Sequence, residues 1–125
     1  MLLDSNILIY SSKAGGEALR PWTSHPSAYI SIISRIEALG FHKITPEEND
    51  SITTTLAELP ELALDDEIAT RAIALRQQKS MSLGDSLIAA TALTYNIPLC
   101  TRNKDDFKHI TELEIINPFE ASTRA

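Results

Sequence analysis

The chain has 125 residues, 43% of them hydrophobic and 22% charged, with a formal net charge of -6. This size and balance fit one ordinary globular domain over residues 1–125 and argue against disorder. The acidic charge argues against a protein that grips nucleic acid by bulk positive field, but not against an enzyme whose acids hold a divalent cation that meets a phosphate.

Met1-Leu2-Leu3-Asp4 reads as a short strand stopping at polar Ser5 and Asn6, and Ile7 to Tyr10 continue as a first helix. Gly15-Gly16 breaks that pattern. A helical turn over Glu17 to Arg20 is then expected to end at Pro21 and a loop containing Pro26. Ala28 to Ser31 reads as a strand, and Ile32, Ile33, Ile36 and Leu39 follow at helical spacing before Gly40. Thr45-Pro46-Glu47-Glu48 has the marks of a helix start: a Thr cap, Pro in the first position and Glu three after the cap. That helix carries Ile52, Leu56 and Leu59 and ends at Pro60. Leu62-Ala63-Leu64 reads as a brief strand, and Asp65 caps a helix whose expected inner face is Ile68, Ala69, Ala72, Ile73 and Leu75. Ser82 opens another helix, with Leu87, Ile88, Ala89, Ala90, Ala92 and Leu93; it is apolar almost all round and so expected to be buried on more than one side. Ile97 to Cys100 is a strand, Thr101 to Asp106 a polar segment, and Leu113 to Ile116 a last strand ended by Pro118. Strands alternating with helices give an α/β layered domain with a mostly parallel sheet. Sites in such sheets gather at the carboxyl ends of strands, where Asp4 and the Thr101–Asp106 segment fall.

Cys100 is the one cysteine, so no internal disulfide is expected and a reducing compartment is the natural reading. With neither a leader nor a membrane-length apolar run in the sequence, the expected location is the cytoplasm. Four acidic positions can carry chemistry. Hard cations such as Mg²⁺ or Mn²⁺ take oxygen ligands, usually a few carboxylates plus waters, and such ions can promote phosphodiester cleavage. Asp4 ends the first strand; by itself it equally suits a helix cap. Glu37, in Ser34-Arg35-Ile36-Glu37-Ala38-Leu39-Gly40, suits a solvated helix glutamate. Asp85 stands three after Ser82, the spacing of a capping box with Asp in place of Glu or Gln. Asn103, Asp105 and Asp106 suit a polar loop opening a helical turn, and Arg102 and Lys104 suit either phosphate contact or ordinary surface charge. His25, His42 and His109 lack metal-ligand spacing, and Cys100 reads as a small buried apolar group.

Taken in order, Leu2-Leu3-Asp4-Ser5-Asn6, Ser34 to Gly40, Gly84-Asp85-Ser86-Leu87-Ile88-Ala89-Ala90-Thr91-Ala92, and Leu99-Cys100-Thr101-Arg102-Asn103-Lys104-Asp105-Asp106-Phe107 resemble the PIN-domain family, and within it the VapC-like toxins. The closing Ile115-Ile116-Asn117-Pro118 is also similar to the family's end, so the resemblance covers essentially the whole chain. It implies a PIN-like α/β domain with a mostly parallel sheet of about four or five strands flanked by helices. It implies a Mg²⁺- or Mn²⁺-dependent endoribonuclease that cuts RNA by a metal-activated water, dimerises, and is inhibited by a cognate antitoxin protein. By position, Asp4, Glu37 and Asp85 match the metal-binding acids, and Asp106 and Asn103 fall where relatives place a further site residue. Ser5, standing where relatives often have Thr, joins Asn6, Thr101, Arg102 and Lys104 as expected substrate contacts.

Two other classes compete on the residues alone. A haloacid dehalogenase-like phosphatase wants a second Asp two residues after its nucleophile, and Asn6 occupies that place. A phosphoacceptor or binding module with flavodoxin-like order usually has an acidic pair after the first strand and a Lys after a later core strand. Here Asp4 stands alone, and Thr101-Arg102 follow the later strand.

Overall fold

The computed structural model describes residues 1–121. Five short strands form the sheet among these residues: β1 (Leu2–Leu3), β2 (Ile30–Ser31), β3 (Glu61–Leu62), β4 (Leu99–Cys100) and β5 (Ile115–Ile116). Every pairing is parallel, with β4 between β1 and β5 and with β2 on β3. A parallel bridge between Leu2 and Tyr29 joins the two ladders. Its hydrogen bonds run from Leu3 N–H to the Tyr29 carbonyl at 2.9 Å and from Tyr29 N–H to the Met1 carbonyl at 2.8 Å. The order is therefore β3-β2-β1-β4-β5, and the parallel pairing is what the alternation of strand and helix patterns implied.

Successive residues of a strand point to opposite faces, and this one rule builds both layers. Leu2 and Leu99 point into a core with Ile68, Ala72, Leu75, Ile88, Ala89 and Phe107. Leu3 and Cys100 point the other way, onto Ile7, Leu8, Leu19, Ile30, Ala38 and Ile52. Helices α5 (Asp66–Gln78) and α6 (Leu83–Tyr95) thus cover one face. Helices α1 (Ser5–Ser11), α2 (Arg20–Thr23), α3 (Ile32–Leu39) and α4 (Pro46–Ala57) cover the other. The expected burial of α6 on several sides holds, since every residue from Ile88 to Ala92 is buried. Helix α4 starts as its sequence implies. The Thr45 hydroxyl accepts from Glu48 N–H at 3.1 Å, and the Glu48 carboxylate accepts from Thr45 N–H at 3.0 Å.

Several local expectations are corrected. The strand placed at Leu62–Leu64 lies at Glu61–Leu62, because its partner β2 turns into α3 after Ser31 and leaves Ala63 and Leu64 nothing to pair with. Pro21 does not end a helical turn; it stands in the first turn of α2, where its missing N–H costs no hydrogen bond. Pro118 follows β5 but also opens α7 (Pro118–Ala121). On α5 only Ile68, Ala72 and Leu75 are buried, while Ala69 is exposed and Ile73 is 58% exposed. A single packed face needs only the i, i+4, i+7 positions; Ala69 and Ile73 fall one position round the helix. No helix among the described residues is long and apolar enough to cross a membrane.

Candidate active site

Asp4 leaves β1 and caps α1, with its backbone still extended. It is only 4% exposed. Its carboxylate accepts from Ser5 N–H at 2.8 Å, from the Thr101 hydroxyl at 2.8 Å and from the Asn6 side-chain amide at 3.2 Å. Asn6 Nδ2 also donates to Thr101 Oγ1 at 3.1 Å, and Asn6 Oδ1 accepts from Arg102 N–H at 3.2 Å. Thr101 Oγ1 further accepts from Asn103 N–H at 3.0 Å. One network therefore ties the carboxyl end of β1 to that of β4. The neighbouring-strand pairing brings these residues together, since Leu3 and Cys100 are in register. Thr101 is fully buried, so its hydroxyl meets Asp4 and not the surface.

Burial pushes the Asp4 carboxyl up to about 6. Hydrogen bonds from Thr101 and Ser5 oppose the shift, while the charges of Asp85 and Glu37 add to it. Glu37, on α3, is exposed as a residue, but its carboxyl end is drawn in against Gly84 of α6. Desolvation raises that carboxyl, a contact with the Ser5 side chain lowers it, and Asp85 raises it again. Asp85 lies in the first turn of α6, and its N–H donates to Ser82 Oγ at 3.1 Å. Only this half of the capping box is made, which leaves the Asp85 carboxylate free of the Ser82 backbone. Desolvation raises it, then the Asp106 charge, against a lowering contact with the Ser82 side chain. The sequence-predicted acids from four separate segments thus form one electrostatic chain.

The segment after β4 makes a 3-10 turn over Lys104–Asp106. Asp106 is tied to Asn103 through the backbone, N–H to carbonyl at 3.1 Å, and the Asn103 side chain makes no capping bond there. Asp105 turns outward to an exposed ion pair with Lys108 at 3.4 Å. Arg102, Lys104, Asp106 and Asn117 line a polar hollow of about 270 Å³. Sequence reading missed the setting of Arg102. Its guanidinium carbon lies 4.7 Å from the Tyr10 ring centroid and 4.8 Å from that of Phe119. Those rings come from α1 and α7, and no local spacing in the sequence links them. Burial pushes the Cys100 thiol up to about 12, so it stays neutral beside Asp4.

The donor set suits a hard divalent cation. It offers carboxylate oxygen, in groups whose mutual repulsion a cation would relieve. Among the described residues, no three acidic, His or Cys side chains are gathered closely enough to hold an ion as they stand.

The fold and this cluster define a parallel α/β protein with an acidic site at the carboxyl edge of its sheet. The chain belongs to the PIN-domain family, whose model matches residues 1–113. It is 31% identical to Ribonuclease VapC of Rickettsia bellii over 93% of this chain and 94% of that protein. Ribonuclease VapC1 of Rickettsia felis is 28% identical over the same shares of the two chains. Among solved structures, a toxin-antitoxin complex from Klebsiella pneumoniae contains a chain 32% identical, with a TM-score of 0.74 over 94% of this chain and 96% of that one. VapBC2 from Rickettsia felis, bound to a promoter DNA fragment, shares the fold at a TM-score of 0.78 and 21% identity, over 93% of this chain and 96% of that one. The resemblance read from the ordered motifs therefore holds, and neither the phosphatase nor the phosphoacceptor alternative is favoured.

Proposed function

We propose that this chain is a Mg²⁺- or Mn²⁺-dependent endoribonuclease and the toxin of a toxin–antitoxin pair. The observation that carries this reading is that Asp4, Glu37 and Asp85, delivered by three segments, feel one another's charge, with the Glu37 carboxylate packed against Gly84 directly before Asp85. In this reading Asp4, Glu37, Asp85 and Asp106 hold the cation, with Asn103 shaping the outer side. A bound divalent ion supplies positive charge for the phosphate and activation of water for attack on phosphorus. Thr101 and Asn6 fix the Asp4 carboxylate in one orientation. Ser5, Arg102 and Lys104 stand at the rim, where RNA phosphates would meet them. The ribonuclease relatives and the toxin-antitoxin complex support the assignment of RNA as substrate and a small antitoxin as partner.

The same reading includes a homodimer. An apolar groove of about 370 Å³ between α5 and α6 is lined by Ala69, Ala72, Ile73, Leu83 and Leu87. Ile73 and Leu83 are 58% and 61% exposed, apolar surface that a second copy would cover.

Asp85→Asn tests the cation site, because Asn keeps the shape and loses the charge. The purified wild-type chain should cut RNA only with Mg²⁺ or Mn²⁺, and its expression should arrest growth. Asp85→Asn should abolish both with an unchanged circular dichroism spectrum. Full RNA cleavage by a folded Asp85→Asn chain would overturn the cation-site assignment. Harmless expression of a cutting wild type would remove the toxin reading alone.

A further inference from the structure

We propose that Gly84 is a positioning residue for the acidic site: its missing side chain is the space in which the Glu37 carboxylate sits. The inference rests on the reading of Glu37 as a cation ligand. Gly84 is the second residue of α6, directly before Asp85. A Cβ added there would lie 2.5 Å from Glu37 Oε2, 3.3 Å from its Cδ and 3.7 Å from Oε1. Carbon and oxygen do not approach that closely, so with any side chain at this position the carboxylate must move.

The backbone at Gly84 does not itself call for glycine. Gly15 is the one glycine with positive φ among the described residues, so the Gly84 backbone is open to other residues. The three nearest atoms to the added Cβ all belong to the end of the Glu37 side chain, and none is backbone. Glycine in a helix is less stable than alanine. The helix thus carries its poorer residue where the three nearest atoms to an added Cβ belong to a carboxylate. Close approach also sets that carboxylate beside the first turn of α6, whose positive end favours an anion. It brings Glu37 and Asp85 to one place although they stand on different helices. Because Glu37 is flexible and its residue is exposed, adding a methyl group at Gly84 should swing the carboxylate outward without disturbing the core.

The test measures Mn²⁺ binding by titration calorimetry on the full chain. The variants are Gly84→Ala, Glu37→Ala, the double variant and Asp85→Asn. The wild type should bind Mn²⁺ and Asp85→Asn should lose it. Gly84→Ala should weaken binding on the order of tenfold, the effect typical of losing a group that orients a ligand. In EDTA it should melt at or above the wild-type temperature, since alanine is the better helix residue. In the Glu37→Ala background the same replacement should leave affinity unchanged, because the displaced carboxylate is gone. A wild type that binds no Mn²⁺ overturns the cation site and this inference with it. If the wild type and Asp85→Asn behave as expected but Gly84→Ala binds normally, only the role of Gly84 falls. It falls as well if Gly84→Ala melts well below the wild type, or weakens binding equally without Glu37.

Discussion

Three donors surround the Asp4 carboxylate, yet desolvation outweighs them, and its carboxyl stands at about 6 against an ordinary 3.8. The folded chain therefore holds that proton more tightly than the unfolded chain does. The stability this contributes is full below about pH 4 and is lost as pH rises through about 6. The rise from 3.8 to about 6 corresponds to roughly 3 kcal/mol. In EDTA, urea unfolding of the wild type should show stability falling by at least about this amount between pH 4 and pH 7, because the raised Glu37 and Asp85 carboxyls act in the same direction. Asp4→Asn has no proton to lose and should flatten most of the slope. A wild-type profile that is level over this window, or an unchanged slope in Asp4→Asn, would contradict the assignment. Protons and cations compete for the same carboxylate, so Mg²⁺ affinity should weaken as pH is taken below about 6.

At the scale of elements, Arg102 joins three parts of the chain. Its backbone N–H holds Asn6 in α1, its carbonyl accepts from Asn117 Nδ2 at 3.4 Å, and its guanidinium lies against rings from α1 and α7. Tyr10 and Phe119 also meet edge to face, with centroids 5.7 Å apart. Each exposed cation–π contact is worth about 0.5–1 kcal/mol, so Arg102→Ala should cost about 1–2 kcal/mol. Hydrogen exchange should quicken in α7, which the stack helps to hold. Lysine lacks the planar face that stacks on rings, so Arg102→Lys should not restore the loss. Wild-type stability in Arg102→Ala would show that the stack contributes nothing measurable.

Across the whole molecule, the acids and the largest uncovered apolar side chains of α5 and α6 lie on different parts of the fold. The carboxyl edge carries the acids, while the outer side of α5 and α6 leaves Ile73 and Leu83 uncovered. If that apolar surface meets its copy in a second chain, light scattering at micromolar concentration should give a dimer. Ile73→Glu would place a desolvated charge there and should give a monomer with its circular dichroism unchanged. A wild type that stays monomeric, or a dimeric Ile73→Glu, would place the contact elsewhere or remove it.

What the sequence determined by itself follows from local periodicity and local chemistry. The apolar runs around Leu2, Ile30 and Leu99, alternating with helical patterns, dictated a parallel α/β sheet. The Thr45–Glu48 capping box needs only four consecutive residues, and it formed as written. The acids Asp4, Glu37, Asp85 and Asp106 were each ambiguous alone and acquired meaning only as an ordered set. Contacts between distant segments were decided by the tertiary structure. Pairing of β1 with β4 put the Thr101 hydroxyl on Asp4 and buried it, a contact that its place in a polar segment does not reveal. The approach of α3 to α6 made Gly84 the bed of the Glu37 carboxylate, a role no spacing along the chain reveals. The exposure of Ile73 and the stacking of Arg102 likewise depend on which helix lies opposite. Periodicity tells which side of an element is apolar; only packing tells how much of that side finds a neighbour.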